Sequence, residues 1–458
     1  MGRQSKFQGF HRILVVVSIF GAVQCFHLPH IAGKSCSIGR WPGARQTTHR
    51  ASSRHFMAKQ DDPSEEKGSF LSGINLNFGL KSIFSSKPKP SSNDAEAGPL
   101  TVDVAVIGAG PAGTILATLL ADRHNARIAL VDPEPERAWP NNYGVWQDEW
   151  QALGQRLGYT QEMEDCLEYK WEYTDLFLGG ANSRPRDERL RLNRGYARVD
   201  RLRLKKMCRD KLERAGASIV GDAVDRAGVE HREKDSVVTT RGGDQIVAKL
   251  VVDCTGHETG LIERDGPHDP GFQIAYGVTL EVKDHEPYAD DAMLFMDYRT
   301  DFAREDPDLV EDEVNREPTF IYCMPFGKTS RGTKRIFVEE TSLVARPQMS
   351  FVECQERLEA RLKHLGWDIV RNEKDEEEEF CYIPMGGALP KRGQRIIGFG
   401  GAGGIVHPAT GYMVSRMLAA STRLANGIAK ELSVAEDDFE PLTAASNAFD
   451  ALWDSKTR

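Results

Sequence analysis

The sequence predicts an α/β fold in which a Rossmann-like, dinucleotide-binding parallel sheet carries a second, antiparallel β layer. Three observations predict it. Val104–Asp132 lays out strand, glycine turn, helix and strand in one run; the apolar period becomes two from Gly271 to Val344; and a second glycine-rich strand exit occurs at Arg395–Gly404.

The first of these is the most specific. Val104, Val106 and Ile107 form a β-branched strand that ends at Gly108-Ala109-Gly110-Pro111-Ala112-Gly113, a G-x-G-x-x-G spacing at the strand-to-helix junction. Gly108 allows the tight turn, Gly110 lets a pyrophosphate approach the backbone, and Gly113 lets helix and strand pack closely. Ala112, Ile115, Leu116, Leu119 and Leu120 then fall on one helical face. The N-terminus of that helix offers free N–H groups and partial positive charge to phosphate. Asp132 ends the second strand, nineteen positions after Gly113, at the distance where an acid accepts from a ribose hydroxyl.

With 458 residues the chain can bury more than one sizeable core. Its charge is unevenly spread. Residues 1–60 hold nine Lys or Arg and no acid, which leaves 50 basic against 68 acidic residues in the remainder. A body that acidic, with no aromatic-studded basic patch, argues against nucleic acid as a partner. The eight cysteines are scattered, with no Cys-x-x-Cys or Cys/His spacing that suits a metal, and those beyond the leader read as reduced thiols.

In chain order, Arg3, Lys6 and Arg12 flank the apolar run Ile13–Val23, the core of a signal peptide and too short to span a bilayer. Phe26 to about Lys59 is rich in Arg, Ser, Thr and His and free of acids, as transit peptides are. A Pro/Ser-rich spacer without period follows. The expected divisions are therefore a signal peptide (1–25), a transit peptide (26–60), a disordered linker (61–100), the first part of the dinucleotide-binding region (101–264), the antiparallel layer (265–347), a helix with the second cofactor segment (348–435) and a shortened C-terminal tail (436–458).

Within the body, Trp139–Trp146 crowds aromatics and amides just past the nucleotide unit, as a pocket-shaping loop or as a surface turn with buried Trp anchors. Val199–Ala215 reads as an amphipathic helix. Short strands are expected at Ser218–Val220, Ser236–Thr240 and Gln245–Asp253. The layer should contain strands Phe272–Val282, Met293–Tyr298, Thr319–Met324 and Arg335–Leu343. Ser350 and Glu353 form a capping box for a helix that Gly366 stops. Asp375–Glu379 reads as a solvated acidic run with no assigned chemistry. The chain then reaches a helix from about Val414 to Leu432.

One feature of the layer suggests chemistry. Glu339 and Glu340 stand in the middle of a strand pattern, so their side chains point to opposite faces: Glu339 with Arg335, Phe337 and Thr341, Glu340 with Ile336, Val338 and Ser342. A carboxyl buried among apolar side chains keeps its proton near neutral pH and can act as a general acid. The alternative is an edge strand with both acids in solvent or paired with Arg331, Lys334 or Arg335. His407, beside Pro408, reads as a positioning contact, and no second ligand stands at metal spacing.

Four stretches, WPNNYGVW (139–146), FVEETSLVARP (337–347), PMGG (384–387) and GGIVHPATGYMVSRMLAA (403–420), resemble the plant and cyanobacterial lycopene cyclase family, and its β-cyclase branch in particular. The resemblance covers about residues 101–430. It implies a FAD/NAD(P)-binding, flavoprotein-monooxygenase-like α/β domain with an antiparallel β substrate layer. The implied reaction is a redox-neutral, acid-catalysed isomerisation that closes the linear ends of lycopene, or of a monocyclic carotene, into β-rings. Reduced FAD is the implied cofactor, NAD(P)H its reductant, and a plastid membrane the place, where other carotenoid enzymes are possible partners; no transmembrane span stands in the body of the sequence, so peripheral association through an apolar mouth is expected. The leader resembles the bipartite leaders of plastids bounded by more than two membranes. Carried over onto this chain, the motif places the acid at Glu339 with Glu340 beside it. The dinucleotide falls to Gly108, Gly110, Gly113 and Asp132, and the flavin to the loop with Gly403, Gly404, His407, Pro408, Gly411, Tyr412 and Met413. Where monooxygenases of this fold often carry an Asp, Gly400-Gly401 stand here, as in cyclases. The ε-cyclases share most of these motifs. The rival activities on the same βαβ unit are a flavin monooxygenase and a prenyl reductase on an apolar terpenoid. An inactive, shortened form is the third expectation, because the chain ends at Arg458.

Overall fold

The computed structural model describes residues 98–179, 189–370, 377–407 and 410–453. The chain divides into two units, Met1–Asp94 and Ala95–Arg458, and the described residues all belong to the second. The expected signal peptide, transit peptide and nearly all of the linker therefore lie outside them.

The dinucleotide region begins with β1 (Leu100–Ile107), α1 (Pro111–Thr118) and β2 (Ile128–Val131). β1 is apolar on both faces from Val104 to Ile107 and fully buried there, because helices and loops cover both sides of a parallel sheet. Pro111 opens α1, where a missing N–H costs nothing. There follow β3 (Tyr143–Trp146), α2 (Gln147–Leu157), α3 (Thr160–Glu164), β4 (Leu167–Trp171), β5 (Tyr173–Phe177), β6 (Arg189–Leu192), β7 (Tyr196–Val199) and α4 (Arg201–Arg214). The first sheet is completed by β8 (Ser218–Val220), β9 (Val229–His231), β10 (Ser236–Thr239) and β11 (Gln245–Asp253). β8, β2, β1 and β11 run parallel in that order. Beyond β11 the sheet turns antiparallel through β10 and β9.

The second sheet contains β12 (Gly271–Val282), β13 (Ala292–Asp297), β14 (Thr319–Lys328) and β15 (Lys334–Ser342), close to the strands the period predicts. Between β13 and β14 lies α5 (Glu311–Arg316), and after β15 comes α6 (Phe351–Leu365). Ser350 Oγ accepts from the Glu353 N–H at 3.0 Å, and Gly366 ends α6 in a left-handed conformation. α6 buries Cys354, Leu358 and Leu362 against one face of the sheet. The sheet also recruits strands from outside 265–347. β5 pairs in parallel with β13, β6 extends it, and β16 (Ile369–Val370) and β17 (Glu378–Met385) share the far edge of β12. β17 corrects one expectation: the end of the acidic run is not solvated but belongs to a strand, with Glu379, Cys381 and Met385 buried.

The chain returns through β18 (Ile396–Gly398), which extends β11 in parallel, and closes with α7 (Val414–Leu432) and α8 (Pro441–Leu452). Where a tail was expected from residue 436, α8 packs Ala444, Ala445, Ala448, Phe449 and Leu452 into the main core with α1 and α7. A third sheet, β3-β7-β4, lies over the face of the antiparallel layer opposite α6: a Cβ on Gly144 would meet the Tyr322 hydroxyl at 2.3 Å.

Candidate active site

The glycine turn after β1 has the geometry its spacing predicts. Gly108 has φ +103°, and a Cβ there would stand 2.5 Å from the Cys254 carbonyl oxygen. A Cβ on Gly113 would lie 1.9 Å from the Gly108 oxygen, so that glycine is needed for the turn itself. Above Gly110 there is nothing within 4 Å. The turn is therefore closed on the protein side and open on the other, which fits a pyrophosphate. Asp132 reaches the turn: Oδ2 accepts from the Ala109 N–H at 2.7 Å and Oδ1 from the Glu134 N–H at 2.8 Å. A carboxylate with those two bonds retains acceptor capacity for a ribose hydroxyl. Trp139 donates its indole N–H to the Ala109 oxygen at 3.0 Å, so the 139–146 loop is anchored on the same turn.

The second glycine-rich segment joins three parts of the fold. A Cβ on Gly400 would meet Ala112 of α1 at 2.5 Å, one on Gly401 the His257 nitrogen at 3.0 Å, and one on Gly411 Gln273 of β12 at 2.5 Å. Gly403 and Gly404 turn back against Gly398 and Leu389. His407 holds the loop together: its N–H donates to the Tyr412 oxygen at 3.1 Å and its ring pairs with Thr410 Oγ1 at 3.0 Å. The Tyr412 hydroxyl accepts from the Trp146 N–H at 3.3 Å, and Met413 is the N-cap residue of α7. Pro408 lies outside the described residues. Gly401, Gly404, Val406, Gly386 and Gly387 line a cavity of about 170 Å³. His257 and His268 line both it and a neighbouring cleft of about 650 Å³.

The two adjacent acids part company. Glu340 is fully buried beneath α6, where Arg361 donates Nε to Oε2 at 2.9 Å and Nη2 to Oε1 at 2.8 Å. Thr319 Oγ1 also donates to Oε1, at 2.5 Å. This is a bidentate ion pair that ties β15 to α6. The expectation that placed Glu340 beside Glu339 at the site is thus corrected, for the reason strand alternation supplies.

Glu339 faces the other way, toward the β3-β7-β4 sheet, and its true neighbour is Glu379. The register puts Glu379 of β17, Gly277 of β12, Glu339 of β15 and Tyr322 of β14 in one transverse row on one face. Strands two apart are separated by nearly 10 Å, yet carboxylate oxygens of Glu339 and Glu379 and the Cys381 sulfur all lie within 4.8 Å of one another. The side chains lean together over the residue that has none.

Each acid is held differently. Glu379 is 4 % exposed and accepts from the Asn142 N–H at 3.0 Å, Asn142 Nδ2 at 2.6 Å and Cys381 Sγ at 2.9 Å. Asn142 Oδ1 is taken by Arg198 and Arg201, which also pair with Glu377, so the amide orientation is determined. Glu339 receives one such bond, from Thr341 Oγ1 at 2.8 Å. Burial, reinforced by the charge of Glu379, pushes the Glu339 carboxyl up to about 8. Burial raises Glu379 too, against the bonds from Cys381 and Asn142. The Cys381 thiol is also pushed up, which disfavours the thiolate a metal would need. Glu339 nevertheless retains some accessible surface. Trp146, Tyr196, Phe295 and Tyr322 stand in edge and tilted contact at centroid distances of 4.9–6.3 Å on this side of the sheet.

The sequence reading missed Glu379, Gly277 and Tyr322 and marked Asn142 only as part of the 139–146 loop. The alternation Glu379, Cys381, Ile383 against Glu378, Phe380, Tyr382 was the available signal for the first. The others are visible only through register.

Residues 103–457 match the family described as lycopene cyclase protein. A lycopene beta cyclase from Capsicum annuum is 40% identical over 334 residues, 73% of this chain and 62% of that protein. A neoxanthin synthase from Solanum tuberosum is 40% identical over 339 residues, 74% of this chain and 63% of that one. The chain thus spans about three fifths of the length of the first curated relatives it matches. Among solved structures, a variant of the halogenase PltM in complex with FAD has a similar fold, with a TM-score of 0.55 at 14% identity over 77% of this chain and 73% of that chain. Family match and sequence relatives agree: the chain belongs to the lycopene cyclase family.

Proposed function

We propose that the protein is a lycopene β-cyclase that closes the linear ends of lycopene, or of a monocyclic carotene, by proton catalysis without net redox change. The observation that carries this reading is Glu339, a carboxyl that keeps its proton near neutral pH on an aromatic-walled face of the sheet. Its O–H breaks as a C–H bond forms at the inner carbon of the terminal double bond, which leaves the positive charge on the outer, dimethyl-bearing carbon. The neighbouring double bond attacks the resulting tertiary cation and closes the six-membered ring. The ring carbon then returns a proton to the carboxylate, and its C–H electron pair becomes the ring double bond. Trp146, Tyr196, Phe295 and Tyr322 exclude water, and their π faces favour a cation over a neutral alkene.

Gly108, Gly110, Gly113 and Asp132 are the residues that would hold the adenosine diphosphate part of FAD. The 403–413 segment, with Gly403, Gly404, His407, Pro408, Gly411, Tyr412 and Met413, would hold the flavin part. When bound, the reduced flavin supplies negative charge that stabilises the developing carbocation; NAD(P)H is the proposed reductant.

We place the protein in a plastid, as the chloroplastic names of its relatives and the two-part leader suggest. No helix among the described residues is long and apolar enough to cross a membrane. Peripheral docking is supported by an apolar surface on the outer side of β17 and the start of α6. There Phe380 is 52 % exposed, with Tyr382, Val344 and Val352 also open to solvent around Phe351 and Phe272. Expression in lycopene-accumulating bacteria tests the activity. A cyclic product of unchanged mass is expected, whereas added oxygen or hydrogen, or lycopene left untouched, would refute the cyclase reading.

A further inference from the structure

Glu379 is in none of the roles so far described, although it is among the most constrained acids in the molecule. We propose that Glu379 is the permanently anionic partner of Glu339, so that the two carboxyls form one unit holding a single proton, placed on Glu339. This rests on the cyclase reading for its consequence in catalysis, but not for its existence.

The asymmetry of hydrogen bonding assigns the proton. Two carboxyls with oxygens inside 4.8 Å in a largely buried site do not both ionise near neutral pH. The member with more donors aimed at it keeps the charge. Glu379 has three, two of them from Asn142, whose own amide oxygen is committed to Arg198 and Arg201. Glu339 has one, from a hydroxyl. The other ionisable groups that face the pair do not supply or remove charge. Tyr143 from β3, Tyr196 from β7, Tyr322 from β14 and Cys381 from β17 are all pushed up and neutral. Arg198 and Arg201 are balanced by Glu377, which they share, and by Glu168, which pairs with Arg198.

Gly277 leaves room for the Phe337 ring beside the pair. It stands between the two acids in the row, and a Cβ there would lie 2.5 Å from the Phe337 ring. A side chain at this position would have to displace Phe337, which lies on the same face as Glu339.

In the resting protein the charge on Glu379 opposes ionisation of Glu339, and so keeps the acid loaded. Once Glu339 has given its proton to the alkene, two carboxylates face one carbocation. That arrangement favours the charged transition state over the neutral substrate. The proton lost from the ring carbon restores Glu339, and the pair again holds one proton, with no other reactant consumed. Glu379 is therefore a positioning residue that acts through Glu339.

The test follows the infrared carbonyl band of the protonated carboxyl against pH in the purified full chain, identified by its loss in Glu339→Gln. In Glu379→Gln the midpoint should fall by roughly one pH unit or more, because a like charge is removed. In Asn142→Ala the anion on Glu379 loses its side-chain donor, so the proton should pass in part to Glu379: a second carbonyl band that Glu379→Gln removes should appear, and the midpoint of the pair should rise with it. Cyclisation by Glu379→Gln should show kcat lowered about tenfold or more with KM little changed, and its high-pH limb should move down with the band. Midpoints that stay fixed, or move the same way in both variants, overturn the proposal; should Glu379→Gln not fold, the direction in Asn142→Ala decides. If the midpoints move as stated but no cyclic carotene forms, the pair stands and the cyclase reading fails. If carotene is cyclised while the midpoints stay fixed, the reverse holds.

Discussion

Glu339 and Glu379 occupy one transverse row of the antiparallel sheet, two strands apart, with Gly277 between them. The two acids come from strands forty residues apart in sequence, and the Phe337 ring takes the space that a side chain at Gly277 would fill between them. Gly277→Val should therefore wedge the carboxyls apart and press on Phe337, with a destabilisation of about 1–3 kcal/mol from overpacking. Thermal unfolding should show a folded protein of lowered Tm, and the pigment assay at least a tenfold loss of cyclisation. Unchanged activity would mean that the carboxyl contact is dispensable.

The neighbours Glu339 and Glu340 should give opposite phenotypes. Glu339→Gln keeps the shape and removes the proton, so cyclisation should drop by roughly 10²–10⁴-fold while flavin absorbance and Tm are retained. Glu340→Ala strands Arg361 without its partner in the core, at a cost of about 3–5 kcal/mol. Its loss should appear in the unfolding curve first and in activity only as a consequence.

Activity should fall as pH rises through about 8, where Glu339 gives up its proton. Stability follows with a defined sign. Between the ordinary glutamic acid value of 4.5 and about 8 the folded chain holds a proton on Glu339 and the unfolded chain does not. Folding is therefore progressively disfavoured as pH rises across that window. Glu339→Gln removes this dependence, so urea midpoints for wild type and variant should converge toward low pH and diverge toward pH 8, with the variant the more stable there.

The two first glycines of the turn should separate folding from cofactor binding. Gly110 faces open space, so Gly110→Val should leave Tm nearly unchanged and abolish FAD retention on desalting. Gly108→Ala meets the Cys254 backbone at 2.5 Å with φ +103° and should lower Tm itself.

The exposed Phe380 and Tyr382 share β17 with buried Glu379 and Cys381, the outer and inner faces of one strand. Phe380→Asp with Tyr382→Asp should reduce flotation with neutral galactolipid vesicles several-fold and leave the Glu339 titration where it was. Equal flotation would remove this surface as the docking face.

Much of this protein was legible before any coordinates. The G-x-G-x-x-G unit, the capping box at Ser350 and the strand containing Glu339 depend on neighbours within a few positions, and local spacing encodes them. The opposite facing of Glu339 and Glu340 also follows from sequence, since a strand alternates whatever it pairs with. The acidic run before Phe380 misled because its charge density outweighed a short alternation that only burial makes meaningful.

What the sequence determined by itself was the family, the cofactor turn and an acid in mid-strand. The tertiary structure alone decided which acid has company. Register brings β17 beside β12 and places Glu379 across Gly277 from Glu339, while α6 withdraws Glu340 into an ion pair with Arg361. Charge and protonation depend on distance and burial in space, and neither is a property of adjacent letters in a chain.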